Sequence, residues 1–278
     1  MPITEERWTA TRTAVAASAR QFLDLAAASD PDTMATKDWS VAETVAHVGT
    51  IAFMYTQIVR FAEPAIPGAG ERIRATTVDT VADLNAQTLG SFTERDLPSL
   101  VAKLRADVDS VLAATESVDP ATPVAWLGDS RVPICGVLAH LVNELHIHGR
   151  DIARATGTPW HVPAEHAALF FEVFFVELLR HGVGHLLDND EPPRERRVAV
   201  GFRSRHTTPV TIVLHRGRVS VEDWDAPADV RIGFDPVAFN LMMFHRISKP
   251  RAALTGKVRV WGRRPWLLPV FLKTVRCP

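Results

Sequence analysis

Three side chains of the kinds that bind metals recur at every fourth residue in one segment of the sequence. His140, Glu144 and His148 lie between Pro133 and Thr156, and this spacing places them on one face of an α-helix. One carboxylate and two imidazoles in a row add little to the stability of an isolated helix. A divalent cation, by contrast, needs neutral nitrogen and ionised oxygen donors that converge from a rigid support. The spacing therefore favours a metal site on this helix.

A second helix is predicted to supply a further donor. Ser40 and Glu43 have the spacing of a capping box, so a helix is expected to begin at Ser40 and to run to about Phe61. This helix is built largely of apolar residues and carries one imidazole, His47, on an apolar stretch. A lone histidine in such a place is more often a hydrogen-bonded core residue than a ligand. Together with the repeat on the other helix, it indicates a cation held between two helices.

Composition excludes several other classes of protein. The chain has 31 basic and 32 acidic residues, well mixed, so it lacks the broad positive surface that nucleic-acid binding requires. Its two cysteines, Cys135 and Cys277, are far apart, which argues against a disulfide framework or a structural zinc knuckle. The longest apolar run, 167–179, contains two glutamates and is too short to span a bilayer. We expect a cytoplasmic protein without membrane insertion.

The chain divides into a helical part and a part with strands. Helical spacing of apolar residues predicts helices at 4–28, 40–61, 79–91, 98–116, 133–156 and 163–187. The third and fourth of these are close in sequence and are expected to pack as an antiparallel pair. Period-two alternation then predicts strands at 197–202, 209–215, 218–223 and 256–262, with helices at 235–244 and 265–275. A charged stretch with prolines at 188–197 is expected to link the two parts.

Two short motifs carry a resemblance to a known family. In the first, a Trp-Ser pair precedes the second helix, and His47 follows Trp39 by eight residues. The second motif is Glu-x3-His-x2-Asp, formed by Glu144, His148 and Asp151. Together they resemble the mycothiol-dependent maleylpyruvate isomerase family, whose N-terminal domain is a DinB-like four-helix bundle that binds a divalent metal. The resemblance covers most of the chain.

The resemblance implies an α + (α+β) fold with two domains. Residues 1–188 are expected to form the DinB-like metal-binding helical bundle. Residues 195–278 are expected to form a small α+β domain like a sterol-carrier protein, which closes over the metal site. The implied metal ligands are His47, Glu144 and His148. Arg246, in the second domain, is expected to hold a substrate carboxylate and is a candidate catalytic residue.

Three other side chains near the ligands receive different roles. His140 lies outside the implied ligand set, although helix geometry favours it equally; we place it beside the ligands or in the substrate pocket, as a second candidate catalytic residue. Asp151 follows His148 by three residues on the same side of the helix, where it is expected to orient a ligand. His146 points about 200° away from Glu144 on the helix and is expected not to reach the cation.

Other conspicuous residues have ordinary structural interpretations. Cys135 lies one turn into the predicted ligand helix, where a helix terminus can lower a thiol pKa and create a nucleophile. A small buried cysteine is the more common situation, and we favour it here. Trp39, Trp126, Trp160 and the phenylalanine-rich run 170–175 are expected to be packing residues rather than ligand-binding platforms.

A metal with three protein ligands keeps at least one open position, where a small thiol can bind and lose its proton near neutral pH. The resemblance implies that this thiol is mycothiol. The predicted reaction is attack of the thiolate on an electrophilic small molecule, which ends in isomerisation or in S-transfer. Zinc is the default cation for these donors. Two alternatives stay open: a non-haem iron oxygenase, and a non-enzymatic carrier of an apolar ligand whose metal is structural.

Overall fold

The protein is mostly helical and contains one mixed five-stranded sheet. The computed structural model describes residues 3–62, 68–189 and 195–277. Its α-helices are α1 (Glu5–Ala27), α2 (Val41–Val59), α3 (Ala69–Ala75), α4 (Val81–Ser91), α5 (Leu97–Ala114), α6 (Ile134–Thr156), α7 (Ala164–Leu169), α8 (Val176–His181), α9 (Pro236–Met243), α10 (Lys249–Leu254) and α11 (Leu268–Thr274). Its strands are β1 (Pro123–Ala125), β2 (Arg131–Pro133), β3 (Val198–Arg203), β4 (Val210–His215), β5 (Arg218–Asp223), β6 (Val230–Phe234) and β7 (Val258–Trp261).

The long helices begin and end where local chemistry satisfies their free backbone groups. The predicted capping box is present: the Ser40 hydroxyl accepts from the Glu43 amide, and the Glu43 carboxylate accepts from the Ser40 amide. At the end of α6, Gly157 takes a left-handed conformation with φ of 71°, which suits a residue without a side chain. These two features confirm the predicted start of α2 and the predicted end of α6.

Helix α6 is the centre of the helical part. It packs against α1 and α2, and α5 packs against the same two helices. Every residue of α6 from 134 to 149 is buried, so the polar residues on opposite faces of this helix are all enclosed by neighbouring elements. None of the described helices is both long enough and apolar enough to cross a lipid bilayer.

The pairing predicted for 79–91 and 98–116 is wrong. The two helices exist, as α4 and α5, but α4 packs against α2. Leu89 is the one fully buried residue of α4, so this helix has no apolar seam with which to pair along α5. The helix predicted to reach residue 187 ends at His181, because Gly182 has a φ of 117° that no helix continues. Helices α3 and α10, strand β6 and the β1–β2 hairpin were not predicted.

The sheet has the order β5-β4-β3-β6-β7, in which β3 and β6 are parallel and the other neighbours antiparallel. The predicted strands are confirmed, and so is the turn between β4 and β5, where Arg216 and Gly217 have φ of 50° and 73°. Positive φ at both positions is the requirement of a tight type I′ hairpin. Part of the predicted linker at 188–197 lies outside the described residues.

An aromatic cluster joins the sheet to the helical part. A π-helical turn, Phe170–Phe175, connects α7 to α8. From it, Phe171 reaches Phe202 of β3 and Phe234 of β6 at ring-centroid distances of 5.2 and 5.0 Å. Pairs at these separations add to the free energy gained from burying the rings. The sheet is therefore packed onto the π-helical turn, which in turn packs against α6.

Candidate metal centre

Three buried side chains bring their donor atoms together where α2 meets α6. Nε2 of His47 lies 3.6 Å from Glu144 Oε2, and Nε2 of His148 lies 3.3 Å from the same oxygen. One donor atom from each of the three lies within 4.8 Å of the other two, and all three residues are buried. Within residues 3–62, 68–189 and 195–277, this is the one group of three such side chains. The donor atoms of the three predicted ligands therefore converge.

These distances suit a small divalent cation. Ligands about 2.0 to 2.1 Å from a tetrahedral zinc ion are about 3.3 Å from one another. The observed separations of 3.3 and 3.6 Å around Glu144 Oε2 are close to that value. The donors are therefore already spaced as a metal would require, without a large movement of either helix.

The protonation states also fit a metal site. Burial lowers the pKa of His47, and the neighbouring His148 lowers it further, so the imidazole is neutral at neutral pH. Burial alone would raise the pKa of the Glu144 carboxyl, but hydrogen bonding from His148 and His47 outweighs it and holds the pKa well below its usual range. A neutral imidazole beside an ionised carboxylate is the donor state that divalent cations bind.

Aromatic rings surround the donors. The ring of Trp39 lies with its centroid 4.6 Å from that of His47 and 6.0 Å from that of His148. Trp39 is half-buried, and a hydroxyl oxygen of Thr36 accepts a hydrogen bond from its amide at 3.0 Å. It is a packing residue, as predicted, and what it packs on is the pair of imidazoles. This contact restricts the ring orientations of both histidines.

Asp151 and Arg246 form an ion pair beside His148. Both carboxylate oxygens of Asp151 lie 3.2 Å from Nε of Arg246, and Asp151 Oδ2 lies 3.7 Å from Nδ1 of His148. Nδ1 of His148 has no hydrogen-bond partner among the described atoms, so Asp151 is the nearest carboxylate that can orient this ring. Arg246, expected to hold a substrate carboxylate, is paired with Asp151 and lines the cleft beside the donors.

His140 lies next to the three donors but is bonded elsewhere. Its Nδ1 is 2.8 Å from the hydroxyl of Tyr55, and its Nε2 is 3.6 Å from Glu144 Oε1. Burial lowers the pKa of His140, with His47 adding to the effect, so this imidazole is neutral as well. The π-helical turn places Phe174 against it, at a ring-centroid distance of 4.6 Å.

His146 and Cys135 lie away from the donors, on other faces of α6. Nε2 of His146 is 2.9 Å from the Ser18 hydroxyl of α1, and burial followed by the neighbouring His166 lowers its pKa to about 3. The Cys135 thiol lies 3.5 Å from the Thr11 hydroxyl, and burial raises its pKa to about 11. A buried thiol with that pKa is protonated at neutral pH, in keeping with the structural role favoured for Cys135.

The three donors open onto a large cleft. Its volume is about 1750 Å³, and His47, Glu144 and His148 form part of its wall. Nine basic and three acidic side chains line it, although the whole chain has almost equal numbers of each. The basic residues are Lys37, Arg72, Arg74, Lys103, Arg131, Arg150, Arg154, Arg246 and Arg251.

Sequence reasoning missed the part that Tyr55 and Arg150 play in this cleft. Tyr55 is the one tyrosine of the chain, lies two turns after His47 on the same helix, and is fully buried. A single tyrosine in an apolar helix that already carries a candidate ligand is the signal that identifies it. Arg150 offered no such signal, because two of the charges that act on it, Arg246 and Arg251, come from distant parts of the chain.

The helical core and its donors define a helical protein with a candidate three-ligand metal centre that opens onto a cleft. A sequence model described as the mycothiol maleylpyruvate isomerase N-terminal domain matches residues 8–153, which is more than half of the chain. The chain belongs to this family. All three donors lie inside the matched residues.

Two crystal structures have a similar fold. One is of a mycothiol-dependent maleylpyruvate isomerase, with 15% identity over 94% of this chain and 93% of that one, and a TM-score of 0.48. The other is a histidine-to-alanine mutant of a mycothiol-dependent maleylpyruvate isomerase, with 13% identity over 87% and 88% of the two chains and the same TM-score of 0.48. Likenesses this distant do not assign a function. A search of curated proteins found no match.

Proposed function

We propose that this chain is a metal-dependent enzyme that uses mycothiol as its thiol and acts on an electrophilic small molecule. The outcome is isomerisation of the maleylpyruvate type or S-transfer. We further propose that residues 1–188 are a DinB-like bundle and that residues 195–278 are a sterol-carrier-like domain. Family membership supports the thiol, and the convergence of His47, Glu144 and His148 at the wall of a cleft of about 1750 Å³ is the observation that carries the proposal.

In this proposal the protein supplies three metal ligands and leaves a coordination position open toward the cleft. A bound divalent cation, with zinc as the default, supplies a positive charge that lowers the pKa of a coordinated thiol. His47 and His148 would hold that cation through ring nitrogens, and Glu144 would add one negative charge. Trp39 keeps both imidazoles in place from the cleft side. Because these are three ligands, at least one coordination position faces the cleft.

The basic lining of the cleft favours an acceptor that carries negative charge. Arg246 is paired with Asp151, whereas Arg150 and Arg154, one turn apart on α6, have no carboxylate partner among the described residues. Burial lowers the pKa of Arg150; Asp151 opposes this effect, whereas Arg154, Arg246 and Arg251 add to it, so three other cations act on this residue. A carboxylate on the acceptor would relieve this repulsion. In this proposal Arg150 and Arg154 attract that group, and Arg246, which acts on Arg150 from its pair with Asp151, adds to the attraction.

The test is turnover of maleylpyruvate with mycothiol, measured before and after removal of the metal by a chelator. We expect activity that disappears with the metal and returns with Zn²⁺. Mycothiol that stays constant during turnover indicates isomerisation, and mycothiol consumed one-for-one indicates S-transfer. Turnover that persists in the metal-free protein would refute the proposal. Consumption of dioxygen would identify the oxygenase alternative. Affinity for an apolar ligand that the chelator does not change would identify the carrier alternative.

Two arginine variants test whether the negative charge of the acceptor contributes to its binding in the cleft. Arg150→Gln is expected to raise KM for maleylpyruvate about tenfold while kcat changes little, because the residue lies in the wall of the cleft rather than among the donors. Arg105→Gln, on the exposed surface of α5, removes the same charge and is expected to leave both constants unchanged. Equal effects of the two variants would exclude a specific role for the basic wall.

A further inference from the structure

A line of hydrogen bonds runs from Trp126 through Tyr55 to His140, beside the metal donors. Nε1 of Trp126 donates to the Tyr55 hydroxyl at 3.3 Å, and that hydroxyl lies 2.8 Å from Nδ1 of His140. All three residues are buried, with Tyr55 completely so. The line ends at Glu144, because Nε2 of His140 is 3.6 Å from Oε1 of that carboxylate.

Counting donors and acceptors determines where the protons lie. An indole nitrogen can only donate, so the Tyr55 oxygen accepts from Trp126. Burial keeps the Tyr55 hydroxyl protonated, since it raises the pKa well above its usual value. That proton needs an acceptor, and Nδ1 of His140 is the one in reach among the described atoms. In the opposite arrangement, His140 would donate from Nδ1 and leave a buried hydroxyl proton unpaired, which costs about 1 to 3 kcal/mol.

The carboxylate of Glu144 presents its two oxygens to different partners. Oε2 faces Nε2 of His47 and of His148, at 3.6 and 3.3 Å, whereas Oε1 faces His140. With Nδ1 of His140 occupied by the tyrosine proton, the ring proton of the neutral imidazole lies on Nε2. Oε1 of Glu144, at 3.6 Å, is the carboxylate oxygen nearest to that nitrogen, and a hydrogen bond between them requires the two atoms to approach by about 0.5 Å. A bond there fixes which oxygen of Glu144 is left for a cation.

We propose that Tyr55 is a positioning residue: it holds His140 with its proton on Nε2, so that His140 orients the Glu144 carboxylate and is itself excluded from binding the metal. The inference rests on the proposed metal site and adds to it. It explains why His140 is not among the three converging donors although it shares the four-residue spacing of Glu144 and His148. Partners of a ligand that orient it in this way commonly change metal affinity by about 10- to 100-fold when they are removed.

The first test reads the tautomer directly in the metal-free protein. Long-range proton–nitrogen NMR distinguishes a protonated ring nitrogen from a bare one, and the His140 signals are assigned by their loss in His140→Gln. We expect a protonated Nε2 and a bare, hydrogen-bonded Nδ1. In Trp126→Phe the tyrosine oxygen loses its donor, so a fraction of His140 is expected to shift its proton to Nδ1. A protonated Nδ1 in the unaltered protein would overturn the proposal.

The second test measures Zn²⁺ affinity by competition with a chromophoric chelator. Tyr55→Phe removes the hydroxyl and keeps the ring, and we expect affinity to fall by about 10- to 100-fold. Ser18→Ala is the matched control, because it also removes a hydroxyl bonded to a buried histidine of α6, but on the His146 side. That variant is expected to stay within twofold of the unaltered protein. Equal affinity in Tyr55→Phe and the unaltered protein would refute the positioning role.

The two proposals fail in different ways. If the unaltered protein binds no Zn²⁺, the proposed metal site and function fall, while the metal-free NMR spectrum still reports the tautomer of His140. If Zn²⁺ binds and the tautomer is reversed, the metal site stands and the role of Tyr55 is wrong. Circular dichroism of each variant confirms that a loss of affinity does not come from unfolding.

Discussion

Two buried histidines of α6, only two residues apart, offer a direct test of the metal centre. His148→Ala removes one of the three converging donors, whereas His146→Ala removes an imidazole of the same size that faces Ser18. Both variants delete a buried ring, so both are expected to be less stable than the unaltered protein. They should differ in one respect, which is the response of each variant to added metal.

The size of that response follows from chain length and ligand number. Metal at about 100 times its Kd stabilises the folded state by about 2.7 kcal/mol. For 278 residues that unfold cooperatively, the unfolding entropy is about 0.6 kcal/mol per kelvin, which gives a rise in Tm of about 5 °C. Zinc sites with four ligands have binding free energies of about 10 to 16 kcal/mol, which is about 3 kcal/mol for each ligand. Removing one ligand, as in His148→Ala, should therefore lower the affinity for Zn²⁺ by about 100-fold or more. At the same metal concentration, His148→Ala should then rise by less than about 1 °C.

Differential scanning fluorimetry with and without Zn²⁺, on metal-stripped protein, measures this difference. Each variant is compared with itself, so the cavity left by the deleted ring cancels. The unaltered protein and His146→Ala are expected to shift by about 5 °C, and His148→Ala by almost nothing. If Zn²⁺ raised the Tm of both variants equally, His148 would not be a ligand. If Zn²⁺ raised the Tm of neither variant, loss of His146 would also disturb the metal site.

Three further outcomes are expected. His146 has a pKa of about 3 in the folded protein against 6.5 for a free imidazole, so between these pH values the unfolded chain binds more protons than the folded protein. The contribution of His146 to the free energy of unfolding should therefore be fully present above about pH 6.5 and fall by about 1.4 kcal/mol per pH unit below it, and urea titrations of His146→Gln should show a shallower decline. Gly149→Ala would place a methyl group inside the ring of Trp160, and calorimetry should show a loss of about 1 to 3 kcal/mol without loss of metal. Cys135, with a pKa of about 11, should resist alkylation by iodoacetamide at pH 7.5 in the native state, and its modification at the rate of a free thiol would contradict the burial described here.

Local chemistry made much of the secondary structure predictable. The capping box at Ser40 and Glu43 predicted where α2 begins, and alternation predicted β3, β4 and β5 to within a residue or two. Such signals work because each depends on neighbouring residues alone. Helix α3 and the β1–β2 hairpin gave weaker signals, since α3 has no buried residue and each strand of the hairpin has three residues.

The partners of each helix were much harder to predict. Closeness in sequence suggested that α4 would pair with α5, yet α4 packs against α2. Periodicity identifies which face of a helix is apolar, but it does not identify the element that covers that face. The same limit applies to Arg246: the sequence did not predict its ion pair with Asp151, a residue 95 positions earlier.

Three histidines on α6 show how the roles of similar residues separate. His140 and His148 share the spacing that favours metal binding, but His148 converges with the other donors whereas His140 is bonded to Tyr55. A neutral ring whose Nδ1 accepts a proton must carry its own on Nε2. His146 has the same burial and lies between them in sequence, but its nitrogen faces Ser18 of α1. Helix spacing therefore decides which side of α6 each ring occupies. In the proposed arrangement, the Tyr55 hydroxyl of α2 then decides that the His140 ring does not bind the cation.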